Sequence, residues 1–346
     1  MTLSRITMLL VVLVLWPSVI DRRLRISAAE PEKYATMGSI DRADPRLDAL
    51  IPASAKLERL ADGFDWAEGP VWVPSGKYLL FDDIPKNTTF KWKEGEGVSV
   101  YLKPSGYSGT AKFTGREPGA NGLTLDREGR LLLCQHGDRR VVRQEKDGKL
   151  TVIADRYEGK RFNSPNDIVV KSNGDIYFTD PPYGLPKVDN DPARELDFCG
   201  VYRVSPKTGV TLLSKELDHP NGLAFSPDEK TLYVANSGRT KPIVMAYDVK
   251  PDGTLGAGRL FFDAGPLQRT GKPGAPDGMK VDVRGNLWTT GPGGVLVLTP
   301  DGTHLGTIET GEPTANCNWG DDGSTLYITA NKYLCRIRTT TKGNGF

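Results

Sequence analysis

Residues 221–237 read NGLAFSPDEKTLYVANS, and this stretch contains the features that determine the fold. An asparagine opens it, a short apolar run follows, and the turn-forming sequence SPDEK leads into a second apolar run. Two short apolar segments around a tight polar turn are typical of a β-hairpin. The stretch therefore predicts two antiparallel strands that begin with an oxygen-bearing side chain.

The same pattern occurs six times along the chain. The other five copies are EGPVWVPSGKYLLFDD (68–83), NGLTLDREGRLLLCQH (121–136), NDIVVKSNGDIYFTDP (166–181), DGMKVDVRGNLWTTGP (277–292) and NCNWGDDGSTLYITAN (316–331). Successive copies start 53, 45, 55, 56 and 39 residues apart, and more strand-like sequence fills the intervals. Such repeats predict an all-β fold, a six-bladed β-propeller of four-stranded blades. We expect residues 56–60 to close the ring as the outer strand of the last blade.

Composition agrees with many short strands and excludes one class of partner. The 346 residues include 39 Gly and 25 Pro, which is a turn-rich composition. The 45 basic and 43 acidic side chains give a net charge of +2, so there is no electrostatic reason to expect nucleic acid as a partner.

The N-terminal segment differs from the repeats. A charged start, an apolar run over residues 6–15 and the small residues 27–29 predict a secretory signal peptide at residues 1–29. Residues 30–50 are polar and predict a linker, which leaves residues 51–346 for a single propeller domain. We therefore expect a periplasmic or extracellular protein; an uncleaved N-terminal anchor or a simple tail is the alternative. No stable membrane insertion is expected, because the apolar run is short and is followed by Pro17.

The four cysteines leave two interpretations open. Cys134, Cys199, Cys317 and Cys335 form no CxxC pair and have no zinc-motif spacing. Buried thiols are one interpretation, and a Cys317–Cys335 disulfide is the other, since export would permit oxidation.

The first residues of the six copies predict a metal site. The innermost strands of a propeller line its central channel, so these side chains should form a ring. The ring consists of Glu68, Asn121, Asn166, Asn221, Asp277 and Asn316. Turn formation alone would favour Asn or Asp before Gly, but it does not account for Glu68 or for Asn166, which precedes Asp. Converging carboxylates repel one another unless a cation neutralises them. Carboxylate and amide oxygens favour Ca²⁺ as the one divalent ion, with Mg²⁺, Mn²⁺ and Zn²⁺ as alternatives.

Hairpin geometry brings a second set of residues to the same face. The second strand of each hairpin returns toward its start, so the residues that end it should surround the ring. These are Asp82, Asp83, His136, the run 180–183, Asn236, Ser237 and Gly291. A cation, a histidine, a tyrosine and several amides are typical of a site for a small polar substrate.

At these residues the chain resembles the gluconolactonase and senescence-marker-protein (regucalcin-like) family of sugar lactonases, over about residues 55–340. The motifs are EGPVW (68–72), RFNSPNDIVV (161–170), YFTDPPYG (177–184), HPNGLAFSPD (219–228) and PDGM (276–279), and CQHGDRRVVR from Cys134 resembles the bacterial gluconolactonases. The resemblance implies a sugar lactone as substrate, metal ligands at Glu68, Asn221 and Asp277, and Asn166 at or beside the metal. Asn163 is a competing match for Asn166.

The hypothesis for the reaction assigns a role to each candidate. The metal polarises the lactone carbonyl, and Asp277 acts as general base toward the attacking water. Asn121, Asn166, His136 and Tyr183 are expected to position substrate hydroxyls, with Asn316 at the rim. The glycine-rich insert at residues 107–120 is expected to cover the pocket.

Two other functions remain open on the sequence. A non-catalytic propeller that binds a ligand on the same face is one. A metal-dependent esterase or phosphotriesterase that uses the same site is the other. A serine hydrolase is disfavoured, because no GxSxG motif occurs.

Overall fold

The six hairpins are the inner halves of six antiparallel blades, in a computed structural model that describes residues 33–346. Three strands precede the first hairpin: β1 (Ala35–Met37), β2 (Ser39–Arg42) and β3 (Leu57–Asp62). Each blade contains four antiparallel strands, arranged in order from the channel outward. This arrangement confirms the predicted six-bladed propeller. The predicted signal peptide at residues 1–29 lies outside the described residues.

The blades are numbered from the first hairpin, with strands given from the inside outward. Blade 1 contains β4 (Ala67–Val73), β5 (Tyr78–Asp83), β6 (Thr88–Lys93) and β7 (Gly97–Leu102). Blade 2 contains β8 (Ala120–Leu125), β9 (Leu131–Gln135), β10 (Arg140–Gln144) and β11 (Leu150–Ala154), and a small hairpin of β12 (Arg156–Tyr157) and β13 (Lys160–Arg161) follows it. Blade 3 contains β14 (Ile168–Val170), β15 (Ile176–Asp180), β16 (Gly200–Ser205) and β17 (Gly209–Ser214).

The second half of the ring repeats this order. Blade 4 contains β18 (Pro220–Phe225), β19 (Thr231–Asn236), β20 (Ile243–Val249) and β21 (Leu255–Asp263). Blade 5 contains β22 (Met279–Val281), β23 (Leu287–Gly291), β24 (Gly294–Leu298) and β25 (His304–Glu309), and blade 6 contains β26 (Thr314–Gly320), β27 (Thr325–Ala330) and β28 (Tyr333–Arg338). The helices of the described residues are short: α1 (Gly265–Gln268) and 3-10 turns at Pro45–Ala49 and Val188–Asn190.

Ring closure joins the two ends of the described chain. Strand β3 pairs with β28 as the fourth strand of blade 6, which confirms the strand expected from residues 56–60. The predicted linker at residues 30–50 contains further strands: β1 extends blade 6 beside β3, and β2 extends blade 5 beside β25. These short segments pair with sheet edges that exist only in the folded ring, which is why local sequence pattern did not reveal them.

Hydrophobic clusters fill the spaces between neighbouring blades, one cluster for each of the six interfaces. Between blades 6 and 1, the rings of Tyr327 and Trp72 stack with centroids 5.7 Å apart. Between blades 3 and 4, Tyr177 meets Phe225 edge to face at 5.0 Å. Side-chain packing therefore holds neighbouring blades together, alongside hydrogen bonds across the interfaces such as that from Thr179 Oγ1 to the carbonyl of Asn221.

Close contact of neighbouring inner strands explains why glycine is the second residue in four of the six copies. A Cβ atom on Gly69 would lie 2.0 Å from the carbonyl oxygen of Asn121, and one on Gly222 would lie 2.0 Å from that of Asp277. Only glycine allows such an approach. The dipeptides lie at strand starts, so close packing around the channel replaces the turn interpretation.

Two further features of the described residues concern the cysteines and membrane-spanning helices. All four cysteines, each buried, are free thiols, so the disulfide alternative is wrong. No helix within residues 33–346 has the length and apolarity to cross a bilayer.

Candidate functional site

The six ring residues lie at or just before the starts of the innermost strands, at one end of the channel. Glu68, Asn121, Asn166, Asn221 and Asn316 are 1 to 4% exposed, and Asp277 is half-buried. Backbone contacts hold the neighbouring strand starts together: Gly122 donates its N–H to the Asn166 carbonyl, and Gly278 donates to that of Ala315. The fold thus sets these polar side chains in a buried ring.

Four side-chain oxygens of this ring are buried and accept no hydrogen bond from the protein. They are Oδ1 of Asn121, Asn166, Asn221 and Asp277. A buried acceptor without a partner costs about 1–3 kcal/mol, so four of them in one ring require a common explanation. A hard cation is the group that accepts several such oxygens at once. The donor set therefore fits a divalent ion.

Without a nearby positive charge, the charged forms of the two acidic ring residues are disfavoured. Burial raises the pKa of Glu68 to about 8, and the negative charge of Asp167 adds to the shift. Burial also raises the pKa of Asp277 well above its usual range, with contributions from Glu68, Asp167 and Glu117. A bound cation would reverse both shifts by favouring the charged carboxylates. Residues 33–346 contain no cluster of three or more His, Cys, Asp or Glu suited to a metal, so a cation at the ring would need amide oxygens among its ligands.

Ser237 fixes the orientation of one ring amide. Asn221 donates from Nδ2 to Ser237 Oγ at 2.9 Å, and Ser237 donates in turn to the carbonyl of Pro276 at 2.5 Å. With its nitrogen occupied, Asn221 keeps a buried Oδ1 that has no hydrogen-bond partner. Ser237 directly follows the second strand of its hairpin.

His136 lies next to a ring residue, with its side chain closed off from solvent. The side chain is fully buried. Its Nε2 lies 3.4 Å from Asn166 Nδ2, and its Nδ1 lies 3.0 Å from Glu117 Oε2. Both ring nitrogens face protein atoms, so the predicted contact of His136 with substrate stays a prediction.

Tyr183 stands at the exposed side of the ring. It is half-buried and stacks on the imidazole of His219 with ring centroids 5.5 Å apart. Burial raises the pKa of the Tyr183 hydroxyl, and the charge of Asp277 raises it further. The phenol therefore stays protonated near neutral pH and can donate a hydrogen bond beside Asp277.

Asn163 and Asn166 have different surroundings. Asn163 donates from Nδ2 to the carbonyls of Asp180 and Phe198, and its Oδ1 faces Arg194 at 3.3 Å. Its amide is fully used by neighbouring loops. Asn166, by contrast, keeps a buried oxygen without a partner.

Several residues expected around the ring support loops instead. Asp83 accepts the backbone N–H groups of Asp65 and Trp66, and Asp180 accepts those of Asn163 and Ser164. Burial nevertheless raises the pKa of Asp180 to about 7. Asn236 Oδ1 accepts the backbone N–H of His219, and Asn236 Nδ2 donates to the carbonyl of Lys241. Hairpin geometry placed these residues at the correct face, but their side chains turn outward from the channel to the loops.

Two acidic residues near the ring were missed from the sequence. Asp167 is 2% exposed, and its Oδ2 has no hydrogen-bond partner. The third hairpin starts with Asn-Asp where three others have Asn-Gly or Asp-Gly, and that departure was an available signal. Glu117 comes from the insert, where no repeat pattern marks it.

The insert is held at both ends and borders the site. Asn87 Oδ1 accepts the N–H groups of Ser105, Gly106 and Tyr107. At the other end, Gly119 donates to the carbonyl of Ile84. The insert thereby presents Glu117 to His136.

Comparison with known proteins gives concordant matches. The family model for the "SMP-30/Gluconolactonase/LRE-like region" matches residues 66–332. A gluconolactonase of Zymomonas mobilis is 41% identical over 322 residues, which cover 89% of this chain and 88% of the relative.

Solved structures agree with these matches. A gluconolactonase of Xanthomonas campestris has a TM-score of 0.76 at 33% identity, covering 90% of this chain and 99% of that chain. A calcium-binding protein, regucalcin, of Agrobacterium tumefaciens has a TM-score of 0.65 at 19% identity, covering 82% of this chain and 94% of that chain. At that identity the second structure shows the shared fold alone.

Proposed function

The chain belongs to the SMP-30/gluconolactonase family and is a lactonase, and on that premise we propose that it opens a sugar lactone with the help of one divalent cation. The proposed ligands are Glu68, Asn166, Asn221 and Asp277. The observation that carries the proposal is the set of buried, unpartnered oxygens around the channel.

Calcium is the proposed ion. The ligands are carboxylate and amide oxygens, which suit a hard cation that tolerates irregular geometry. Mg²⁺, Mn²⁺ and Zn²⁺ remain the alternatives to test beside it. The calcium-binding protein of the same fold is consistent with this choice.

Each residue has a role in the proposed hydrolysis. The bound cation would polarise the lactone carbonyl and stabilise the negative charge that develops on its oxygen. Asp277 accepts a proton as the water oxygen adds to the carbonyl carbon. The ring C–O bond then breaks, and the proton passes to the released ring oxygen, which gives the open hydroxy acid. Glu68 and Asn221 hold the ion.

Substrate hydroxyls would be bound at the edge of the ring. Asn121 keeps a buried acceptor, and Tyr183 supplies a protonated phenol beside Asp277. Asn166 would divide its role between metal and substrate.

The proposal is tested by replacing the base and removing the ion. Asp277→Asn keeps the shape of the side chain but cannot accept the proton, so lactone opening should fall by at least about 100-fold. EDTA should abolish wild-type activity, and added Ca²⁺ should restore it. Hydrolysis that survives both treatments would refute the mechanism. A panel of aldonolactones, aryl esters and a phosphotriester, assayed under the same conditions, identifies the substrate class.

Export is a separate proposal. The pattern over residues 1–29 supports a signal peptide and a periplasmic or extracellular location. N-terminal sequencing of the protein recovered from a secretory host tests it, and retention of the apolar segment on an intracellular product would contradict it.

A further inference from the structure

A chain of three side chains joins the insert to the ring. Glu117 Oε2 lies 3.0 Å from His136 Nδ1, and His136 Nε2 lies 3.4 Å from Asn166 Nδ2. His136 Nδ1 makes no hydrogen bond in this geometry although Glu117 Oε2 lies within hydrogen-bond distance, and the Glu117 side chain is 28% exposed. The last member, Asn166, carries one of the unpartnered oxygens.

Donor and acceptor chemistry fixes the direction of this chain. Asn166 can turn only one end of its amide toward the ring, and a cation requires the oxygen there. Its Nδ2 must then donate to His136 Nε2, which accepts only if the imidazole proton sits on Nδ1. A carboxylate beside Nδ1 stabilises that tautomer. Outer carboxylates orient histidines in the same manner in many metal sites.

The insert holds Glu117 beside His136 Nδ1. Its two ends are anchored on Asn87 and on the carbonyl of Ile84. The backbone N–H of His136 also bonds the carbonyl of Gly119, so the histidine and the insert contact each other twice. The negative charge of Glu117 contributes to the raised pKa of both Glu68 and Asp277.

We propose that Glu117 is a positioning residue: through His136 it holds the Asn166 amide with Oδ1 toward the ring, so that seating of the insert strengthens cation binding. The inference rests on the proposed function for the presence of the cation. It adds a role for the insert and gives His136 a role that requires no contact with substrate.

The test measures the affinity of the full chain for CaCl₂ by isothermal titration calorimetry. Glu117→Ala removes the acceptor for Nδ1–H and should weaken binding by about 10-fold, the lower end of the range for such outer partners. Glu117→Gln keeps a carbonyl acceptor and should restore most of the affinity. If Glu117 acted only by attracting the cation with its charge, Gln would be as weak as Ala, and that result overturns the proposal.

A second pair of variants tests the route through His136. In His136→Gln the side-chain carbonyl can replace Nε2 as the acceptor for Asn166, whereas His136→Asn is too short to reach it. We expect the Gln variant to bind Ca²⁺ nearly as the wild type does and the Asn variant to bind about 10-fold more weakly. In the His136→Gln background, Glu117→Ala should have no further effect. If Glu117→Ala reduced Ca²⁺ affinity equally in the wild type and in the His136→Gln variant, Glu117 would act by another route.

Controls separate the possible failures. Glu128→Ala removes an exposed carboxylate from a turn of blade 2 and should leave Ca²⁺ affinity unchanged. If the buried His136 variants fail to fold, as judged by circular dichroism, the comparison of Ala and Gln at the partly exposed Glu117 still decides. A wild type that binds no Ca²⁺, Mg²⁺, Mn²⁺ or Zn²⁺ would refute the metal site itself. Wild-type binding that Glu117→Ala leaves unchanged would refute only the positioning role.

Discussion

At the scale of single residues, the site is defined by what surrounds each amide. Asn221 and Asn166 both place their nitrogen near a protein group and leave their oxygen without one, whereas Asn163 has both ends engaged. Buried amides thus differ in whether their oxygen is left without a hydrogen bond, and for a ring amide a neighbouring group takes up the nitrogen. Ser237 is that neighbour for Asn221.

Removing the Ser237 hydroxyl should therefore weaken cation binding. In Ser237→Ala, Asn221 loses the acceptor for Nδ2, and its amide is free to rotate. We expect Ca²⁺ affinity to fall by about 10-fold or more, measured by calorimetry. Ser172→Ala, which removes a surface hydroxyl bonded to Glu229, is the matched control. Equal affinity in the Ser237 variant and the wild type would contradict the positioning role of Ser237.

The sequence predicted the ring residues because equivalent positions of six copies carry only oxygen-bearing side chains. It did not predict the residues that orient them. Glu117 reaches His136 from an insert that has no counterpart in the other copies, and Asp167 is a buried acid at the position where four other copies carry glycine. Such contacts depend on tertiary geometry that no local pattern encodes.

At the scale of elements, the close approach of inner strands explains a feature that turn chemistry does not. Neighbouring inner strands approach so closely that a glycine is needed between them. The hairpins themselves follow from the period-two pattern. Strands β1 and β2 do not, because their partners are the open edges of blades 6 and 5.

Gly222→Ala tests the close approach directly. The added Cβ would overlap the Asp277 carbonyl, so blades 4 and 5 must separate at the ring. We expect the variant to lose about 1–3 kcal/mol of unfolding free energy or more, measured by urea denaturation. The control is Gly256→Ala in β21, where the nearest atom to the new Cβ lies 3.5 Å away. Equal stability of the two variants would show that the inner strands can spread without strain.

At the scale of the whole molecule, the buried carboxylates should make stability depend on pH and on the proposed cation. The pKa of Glu68 is raised from 4.5 to about 8, and that of Asp277 is raised as well. Between pH 4.5 and about 8, these carboxyl groups therefore bind more protons in the folded state than in the unfolded state. Stability of the metal-free protein must therefore fall as pH rises through this window.

A saturating cation should oppose that loss. Ligand at 100 times its dissociation constant stabilises the folded state by about 2.7 kcal/mol. Because Glu68 and Asp277 must be deprotonated to bind the ion, we expect the gain in Tm from Ca²⁺ to be larger near pH 8.5 than near pH 6. Differential scanning calorimetry with Ca²⁺ or EDTA at both pH values measures it. An equal gain at the two pH values would show that these carboxylates do not take up the ion.

The most direct test of a cation-dependent lactonase is the rate at which EDTA-stripped protein opens D-glucono-δ-lactone while CaCl₂ is added back. We predict a negligible rate in the stripped protein and a rise that saturates at one cation per chain. Asp277→Asn should stay inactive at every concentration. A stripped protein that hydrolyses the lactone at the full rate, with no response to Ca²⁺, Mg²⁺, Mn²⁺ or Zn²⁺, would contradict the proposed cation site.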